Sequence, residues 1–492
     1  MTLPKLSFSR TNGEPLYGQL VSALENAMEA GELKDGERLP SERSLAEQTG
    51  LSRTTVVNAY RELESRGLVR GQVGRGTFVC ASTDTTDAPF AWRGKVAVGA
   101  DVGAFPSMRN LMRDACNANL ISFAVLSPAF ECFPTSAYRR VMDQIIKHHS
   151  AAALALAPTE GQPLLRAEIA RRLRVKTEQI LIVSGAQQGL DLIARCLLDP
   201  GDAVIIDRPG YFGAIQNFRA AGAKLIGWDA MRFDLGELED LILRYRPKLI
   251  CTNPTFQNPT GRTLPKRERE QLLTLTARYR VPVIEDDPFR DTYLGVPPPP
   301  TLYQLDKSNI VIYVSTFSKT LAPGLRLGWL AASEYVVDQL AAIKQRQNLF
   351  TEGLGQLVLA EFLKSGTYDE YLLNLREEHA ERRSAMKKAL EQNMPPRSLD
   401  FSCPPGGLHF WCRLNKGVES QQLLRLAVSR GVAFASGEMF YADDGAGRRE
   451  FRLCFTSVPA PRIEEGIKLL AEAVDAGKSD RSQREDFPVP LV

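Results

Sequence analysis

Between residues 180 and 320 the chain repeats one pattern: a short apolar run, a turn rich in Gly, Pro or Asn, then a helical period. Gln179-Ile180-Leu181-Ile182-Val183 leads into Ser184-Gly185-Ala186-Gln187, and Ala203-Val204-Ile205-Ile206 into Asp207-Arg208-Pro209-Gly210-Tyr211. Leu249-Ile250-Cys251 leads into Asn253 to Gly261, Val281 to Ile284 into Glu285-Asp286-Asp287-Pro288-Phe289, and Ile310 to Val314 into Ser315-Thr316-Phe317-Ser318-Lys319. Runs this apolar and β-branched predict buried strands. Their alternation with helical patterns predicts an α/β domain with a mostly parallel sheet. In such a sheet ligands gather beyond the carboxyl ends of the strands, where each of these polar turns falls.

The chain has 492 residues, enough for two or more domains and a large core. Hydrophobic content of 44% and charged content of 24% are ordinary globular values. No apolar run approaches the length of a membrane span, and Met1-Thr2-Leu3-Pro4-Lys5 does not open an apolar signal core. The cysteines, at 80, 116, 132, 196, 251, 403, 412 and 454, form no C-x-x-C pair. Their scatter points to reduced thiols and a cytoplasmic location, not to a disulfide framework or zinc site. Histidines stand only at 148, 149, 379 and 409, so no metal centre is expected. His148-His149 reads as a helix surface.

The turns carry the chemistry. Lys319 ends a strand after two hydroxyl residues, and a lysine near apolar surface loses part of its preference for charge, so its amine can attack a carbonyl. A surface lysine in a polar loop is the plainer alternative for Lys319 taken alone. Thr316, Ser318 and Arg326 offer two hydroxyls and a fork of donors for a phosphate. Ala186 and Gln187, after Gly185 at a helix start, expose backbone N–H groups to the same anion. Asp286 is suited to pair with a protonated ring nitrogen, Asn258 to donate to a phenolate oxygen, and Tyr211 to stack on a flat ring. Together they describe a site for pyridoxal phosphate, with Lys319 forming the Schiff base.

The first eighty residues are organised differently. Residues 1–50 hold five Lys/Arg against eight Asp/Glu, and 51–80 hold five Arg against two Glu, a local asymmetry that suits a polyanion-facing surface. Leu16, Leu20, Leu24 and Ala27/Met28 follow a helical period. Ser41 caps a short helix stopped at Gly50, and Ser52 caps another with Val56, Ala59, Tyr60 and Leu63 inward, giving a helix-turn-helix. Gly67 to Arg70 and Gly74 to Val79 read as a two-stranded wing. Its Gly71-x-x-Gly74-x-Gly76 follows no strand-to-helix start and is not a dinucleotide fingerprint.

Pro40-Ser41-Glu42-Arg43, Leu51-Ser52-Arg53-Thr54-Thr55-Val56, Gly67-Leu68 and Gly74-x-Gly76-Thr77-Phe78-Val79 resemble the GntR-type winged helix-turn-helix. Asn258-Pro-Thr-Gly, Ser318-Lys319 with Arg326, Pro404 to Trp411 and Phe451-Arg452-Leu453 resemble fold-type I aminotransferases of class I/II. The whole chain resembles the MocR/GabR-type transcription regulators. The resemblance implies a winged helix-turn-helix at 1–80 and an α/β PLP-dependent transferase-like (fold type I) large domain with a small C-terminal α+β subdomain over 118–478; residues 81–117, which lack sustained periodicity, read as a linker, and 479–492, charged and then proline-containing, as a disordered tail. It implies DNA contacts from Arg43, Ser52, Arg53, Thr54 and Thr55, with Gly74 and Arg75 at the wing tip. It makes Arg452 the grip for an amino-acid carboxylate, and it implies a homodimer, head-to-tail, reading promoter half-sites.

Two positions depart from the aminotransferase pattern. A tyrosine expected three residues after the ring-nitrogen aspartate is Phe289 here, with Tyr293 the nearby substitute. A second tyrosine, expected before the Gly161 turn, is replaced by Leu156. A phenylalanine has no hydroxyl to tune the imine, so cofactor binding is expected to survive and transamination to be weak or absent. The leading expectation is a DNA-binding regulator that senses pyridoxal phosphate, an amino acid or an amine. Its rivals are a working aminotransferase with an accessory DNA-binding domain, and a DNA-binding protein whose large domain is only a dimerisation scaffold.

Overall fold

The computed structural model describes residues 15–29, 32–33, 36–65, 68–72, 76–80, 119–415 and 418–485. The chain separates into two compact units, 1–101 and 102–492.

In the first unit, helix α1 (Leu16–Glu29) packs with α2 (Glu42–Thr49) and α3 (Arg53–Ser65). Leu20, Leu24, Leu45, Val56, Ala59 and Leu63 fill its core, as the helical periods require. The Ser41 side chain accepts from the Ser44 amide at 3.2 Å, and Ser52 accepts from Thr55 at 3.1 Å, so both expected caps form. Gly50 ends α2 with φ 68, a left-handed stop that glycine adopts without penalty. Strands β1 (Val69–Gln72) and β2 (Gly76–Val79) pair antiparallel as the wing.

The second unit opens with β3 (Ile121–Ser122) and is built on a seven-stranded sheet. Its strands are β4 (Ile180–Val183), β5 (Ala203–Asp207), β6 (Lys224–Trp228), β7 (Leu249–Thr252), β8 (Val283–Asp286), β9 (Val311–Thr316) and β10 (Gly328–Ala331). The order is β4-β10-β9-β8-β7-β5-β6. β5 to β9 run parallel, and β10 is antiparallel to both neighbours, which suits a strand that returns directly after the Lys319 turn. Burial on both faces of β4, β7, β8 and β9 explains why these runs read as unbroken apolar stretches.

A smaller sheet of β11 (Leu399–Phe401), β12 (His409–Leu414), β14 (Ala435–Ser436) and β15 (Glu450–Cys454) has its own apolar core, while β13 (Val432–Ala433) pairs with β3. The segment after β3 is thereby tied to this small subdomain, where the Cys454 amide also donates to Phe123 O at 2.8 Å. The last helix runs Ala460–Glu485. The tail expected from Ser479 is therefore helical as far as Glu485, because the helix that packs on the small sheet continues past its buried stretch. Residues 81–118 and 486–492 lie outside the described residues. His148 and His149 are exposed on helix Thr135–Leu154. Among the described residues no helix is long and apolar enough to cross a membrane.

Beneath the end of β8, Arg269 and Glu285 form a fully buried ion pair at 3.4 Å. Arg269 also donates to Leu264 O, Pro254 O and Thr255 Oγ1 at 2.8–2.9 Å. Removing one partner of such a pair leaves an uncompensated buried charge, so Arg269→Ala is expected to destabilise this unit by about 3–5 kcal/mol in urea unfolding. A loss under about 1 kcal/mol would show that the pair holds nothing.

Candidate functional site

The carboxyl ends of the parallel strands open into a cavity of about 400 Å³. Ala186, Gln187, Tyr211, Asn258, Asp286, Thr316, Ser318, Lys319, Arg326 and Arg452 all line it. These residues come from strand ends far apart in sequence, together with β15 of the small subdomain.

Gly185 stands before the helix Ala186–Leu197 with φ 86, and a Cβ there would come within 2.9 Å of the Arg326 guanidinium. Only glycine lets that guanidinium lie against the helix start, where it donates to Ser184 O at 2.9 Å. Free helix N–H groups and a guanidinium then converge, the equipment of an anion site. Thr316 lines the cavity and also works within its own turn. Its hydroxyl accepts from the Ser318 amide at 3.1 Å and lies 2.9 Å from Leu327 O, so it shapes the turn Phe317–Lys319. Ser318 Oγ lies 3.0 Å from Thr316 Oγ1. The Tyr211 hydroxyl donates to Gln187 Oε1 at 3.1 Å, and the Gln187 amide in turn reaches Asn217 at 3.1 Å, which braces the Tyr211 ring as a wall.

Two cations in the cavity share one strap of backbone. Lys319 Nζ donates to Leu126 O at 2.8 Å, and Arg452 donates to Ala124 O at 2.7 Å and to Asn258 Oδ1 at 2.8 Å. The buried Arg452 Nε has no hydrogen-bond partner among the described residues. Because Asn258 accepts on its oxygen, its amide NH₂ is the end left to donate. Val125 and Leu126 line the cavity and were missed in the sequence, since the segment around them has no periodicity; the contacts to the two cations come from the backbone carbonyls of Leu126 and Ala124, not from side chains.

The electrostatics follow from burial. Burial lowers the Lys319 amine to about 8, with the charges of Arg452 and Arg326 adding to the fall. Burial raises the Asp286 carboxyl to about 7, helped by Asp287 and Asp207 and opposed by Lys319. Asp286 Oδ1 has no hydrogen-bond partner among the described residues, so this carboxylate is held where a cationic or donor group would be favoured. His409 is pushed down to about 3, chiefly by burial, and stays neutral behind Phe289, ring centroids 5.7 Å apart.

Phe289 is buried and lines the cavity. Tyr293 does not replace the missing hydroxyl: its ring lies 3.8 Å under the Arg376 guanidinium and is not among the cavity's lining. Leu156 is 82% exposed. In the first unit Ser52, Arg53 and Thr54 are exposed together at the start of α3, with Thr55 partly covered. The Arg43 and Arg53 side chains are 84% and 73% exposed, the first 3.2 Å from Glu47 and the second 3.5 Å from Glu42. Gly74 and Arg75 lie outside the described residues.

The geometry defines a winged helix-turn-helix unit and a fold-type I transferase-like unit in one chain. Residues 118–470 match the family model for aminotransferase class I and II, and residues 16–79 match that of bacterial regulatory proteins of the gntR family. The chain is 31% identical over 482 residues to the uncharacterized HTH-type transcriptional regulator YisV of Bacillus subtilis, covering 96% of this chain and 98% of that one. It is 30% identical over 478 residues to the probable rhizopine catabolism regulatory protein MocR of Rhizobium meliloti, covering 95% of each. Among solved structures, LysN, an alpha-aminoadipate aminotransferase from Thermus thermophilus complexed with N-(5'-phosphopyridoxyl)-L-leucine, superposes with a TM-score of 0.74 at 34% identity, over 78% of this chain and 98% of that one. The chain belongs to the class I and II aminotransferase family, in the branch of MocR-type helix-turn-helix regulators. A GntR-type helix-turn-helix implies DNA binding.

An ordinary lysine loses its proton near 10.4, whereas Lys319 should do so near 8. Acetylation of Lys319 by an amine-selective reagent, followed by peptide mass spectrometry across pH, is therefore expected to rise through pH 8. Arg452→Leu removes a positive neighbour and should move that rise to higher pH. A midpoint near that of exposed lysines would contradict the assignment.

Proposed function

We propose that this protein is a cytoplasmic transcription regulator that binds double-stranded promoter DNA through its first unit. Its second unit holds pyridoxal phosphate and reads either the cofactor itself or an amino acid or amine that reacts with it. The observation that carries this reading is the convergence in one cavity of Lys319, an Asp286 oxygen without a partner, and the Gly185–Arg326 anion cradle.

The residues suit that group. Ala186, Gln187, Ser318 and Arg326 would hold the phosphate, with Thr316 fixing the turn that presents Ser318. Asp286 would keep a proton on the ring nitrogen, Asn258 would donate to the ring oxygen, and Tyr211 would bound the ring face. When bound, pyridoxal phosphate supplies an aldehyde that condenses with primary amines and a ring that withdraws electrons. Lys319, lowered toward neutrality, keeps a nucleophilic amine available. Arg452 would clamp a ligand carboxylate after giving up Ala124 O. Phe289 offers no hydroxyl where the transaminating pattern has one, which favours sensing over turnover.

Leu154 and Leu156, 74% and 82% exposed, are large apolar side chains that a second copy would cover, in keeping with a homodimer arranged head-to-tail. On the DNA side, the exposed ion pairs of Arg43 and Arg53 are worth little by themselves and yield readily to phosphate or base edges.

Absorbance titration with pyridoxal phosphate is expected to give a visible band in the parent protein that Lys319→Ala abolishes. Asp286→Asn should weaken uptake of the cofactor. Equal uptake by Lys319→Ala and the parent would overturn the cofactor reading. In promoter binding, Arg53→Ala should lower affinity and reduce the salt slope by about 1 if it meets a phosphate; an unchanged affinity would remove Arg53 from the interface.

A further inference from the structure

Behind the Lys319 turn, within the same unit, lies a second cavity of about 240 Å³ that the reading above does not use. Adjacent residues at a strand end point to opposite faces of a sheet. Asp286 accordingly lines the first cavity, and Asp287, fully buried, lines the second. Thr316 and Pro288 belong to both walls.

Three residues of the second cavity's wall each carry a buried polar atom with no hydrogen-bond partner among the described residues: Asp287 Oδ1, Arg172 Nε and Trp329 Nε1. The rest of each charged group is paired. Asp287 Oδ2 accepts from the Tyr313 hydroxyl at 3.3 Å and lies 3.9 Å from Arg290, and the Arg172 fork holds Asp369 at 3.0 and 2.7 Å. Burying such atoms unpaired is unfavourable, so their placement around one space calls for a common partner. Burial also pushes the Asp287 carboxyl upward, although Arg290 and Arg269 pull it down. Between the polar atoms the wall is aromatic, with Phe317 4.6 Å from Trp329 and 5.8 Å from Tyr368.

One anionic acceptor and two donors, in a space of roughly eight water volumes, match a small molecule with an ammonium at one end and a carboxylate at the other. We propose that this cavity is a second binding site, for a small zwitterionic amino acid, with the ammonium at Asp287 and the carboxylate toward Arg172 and Trp329. A ligand there would press on the Lys319 turn. Tyr368, in the same wall, donates to Thr320 at 2.8 Å, and Thr320 directly follows Lys319. The inference does not depend on the first cavity holding pyridoxal phosphate.

The test is calorimetric titration of the full chain with glycine, L-alanine and L-valine, in the parent, Lys319→Ala, Arg452→Ala, Trp329→Phe and Asp287→Asn proteins. At least one amino acid is expected to bind one-to-one in the Lys319→Ala and Arg452→Ala proteins and to lose ten-fold or more in affinity in Trp329→Phe, which keeps an aromatic ring but loses the indole N–H. If Asp287→Asn fails to fold, a crystal of the parent soaked in the same amino acids replaces it, with the ligand expected between Asp287 and Trp329. Absence of binding by all three, binding indifferent to Trp329→Phe, or ordered water alone at these atoms would overturn the proposal. None of those results would touch the cofactor reading, which rests on the absorbance titration.

Discussion

Three consecutive acids at the end of β8, Glu285, Asp286 and Asp287, are buried in the middle of the sheet, and much of the large unit is arranged to accommodate them. Each is met differently. Glu285 takes Arg269 and the amides of Leu302 and Tyr303 at 2.9 Å. Asp287 takes Tyr313 and Arg290 on one oxygen. Asp286 keeps an oxygen without a partner at the mouth of the first cavity. A buried carboxylate raises its proton affinity unless a cation or donors satisfy it. Glu285 draws all its partners from the chain, whereas Asp286 and Asp287 each keep one oxygen without a partner, Asp286 on the cavity that holds Lys319 and Asp287 on the second cavity.

The same economy governs the cations opposite. Lys319 and Arg452 rest on the carbonyls of Leu126 and Ala124, neutral acceptors that moderate a positive charge without cancelling it. Burial, with the positive charges of Arg452 and Arg326, lowers the Lys319 amine to about 8, which makes the free amine accessible near neutral pH. Arg452 keeps its charge and one unsatisfied N–H. Both contacts fall on a strap anchored by β3 to the small subdomain, so a ligand that takes either cation removes one hydrogen bond from that strap.

Much of this was legible in the sequence, because its signals are local. Unbroken apolar runs gave β4, β5, β7, β8 and β9, and the Gly, Pro and Asn turns placed the cavity residues at their carboxyl ends. Ser41, Gly50 and Ser52 gave the helix-turn-helix boundaries through capping chemistry that needs no tertiary context. Other features were not legible, for reasons that are equally physical. Thr316 carries the same hydroxyl whether it meets a ligand or caps its own turn, and only the fold decides. Tyr293 stood close enough in sequence to replace Phe289, but its ring packs under Arg376. The strap at 124–126 acts through backbone carbonyls, which no side-chain pattern reports. The helix Ala460–Glu485 runs on through a charged stretch that reads as an unpacked tail.

In a regulator of this build, the state of the Lys319 cavity sets the affinity of the helix-turn-helix for DNA. The most direct test is fluorescence anisotropy on the DNA upstream of the protein's own coding sequence, at one fixed salt concentration. Parent and Lys319→Ala proteins would be compared without cofactor, with pyridoxal phosphate, and with cofactor plus amino acids. One of these additions is expected to change the parent's affinity by about five-fold or more, the scale of an ordinary coupling between sites, and to leave Lys319→Ala unmoved. The same affinity in every state of the parent would contradict that coupling, and the large unit would then be no sensor for this DNA-binding unit.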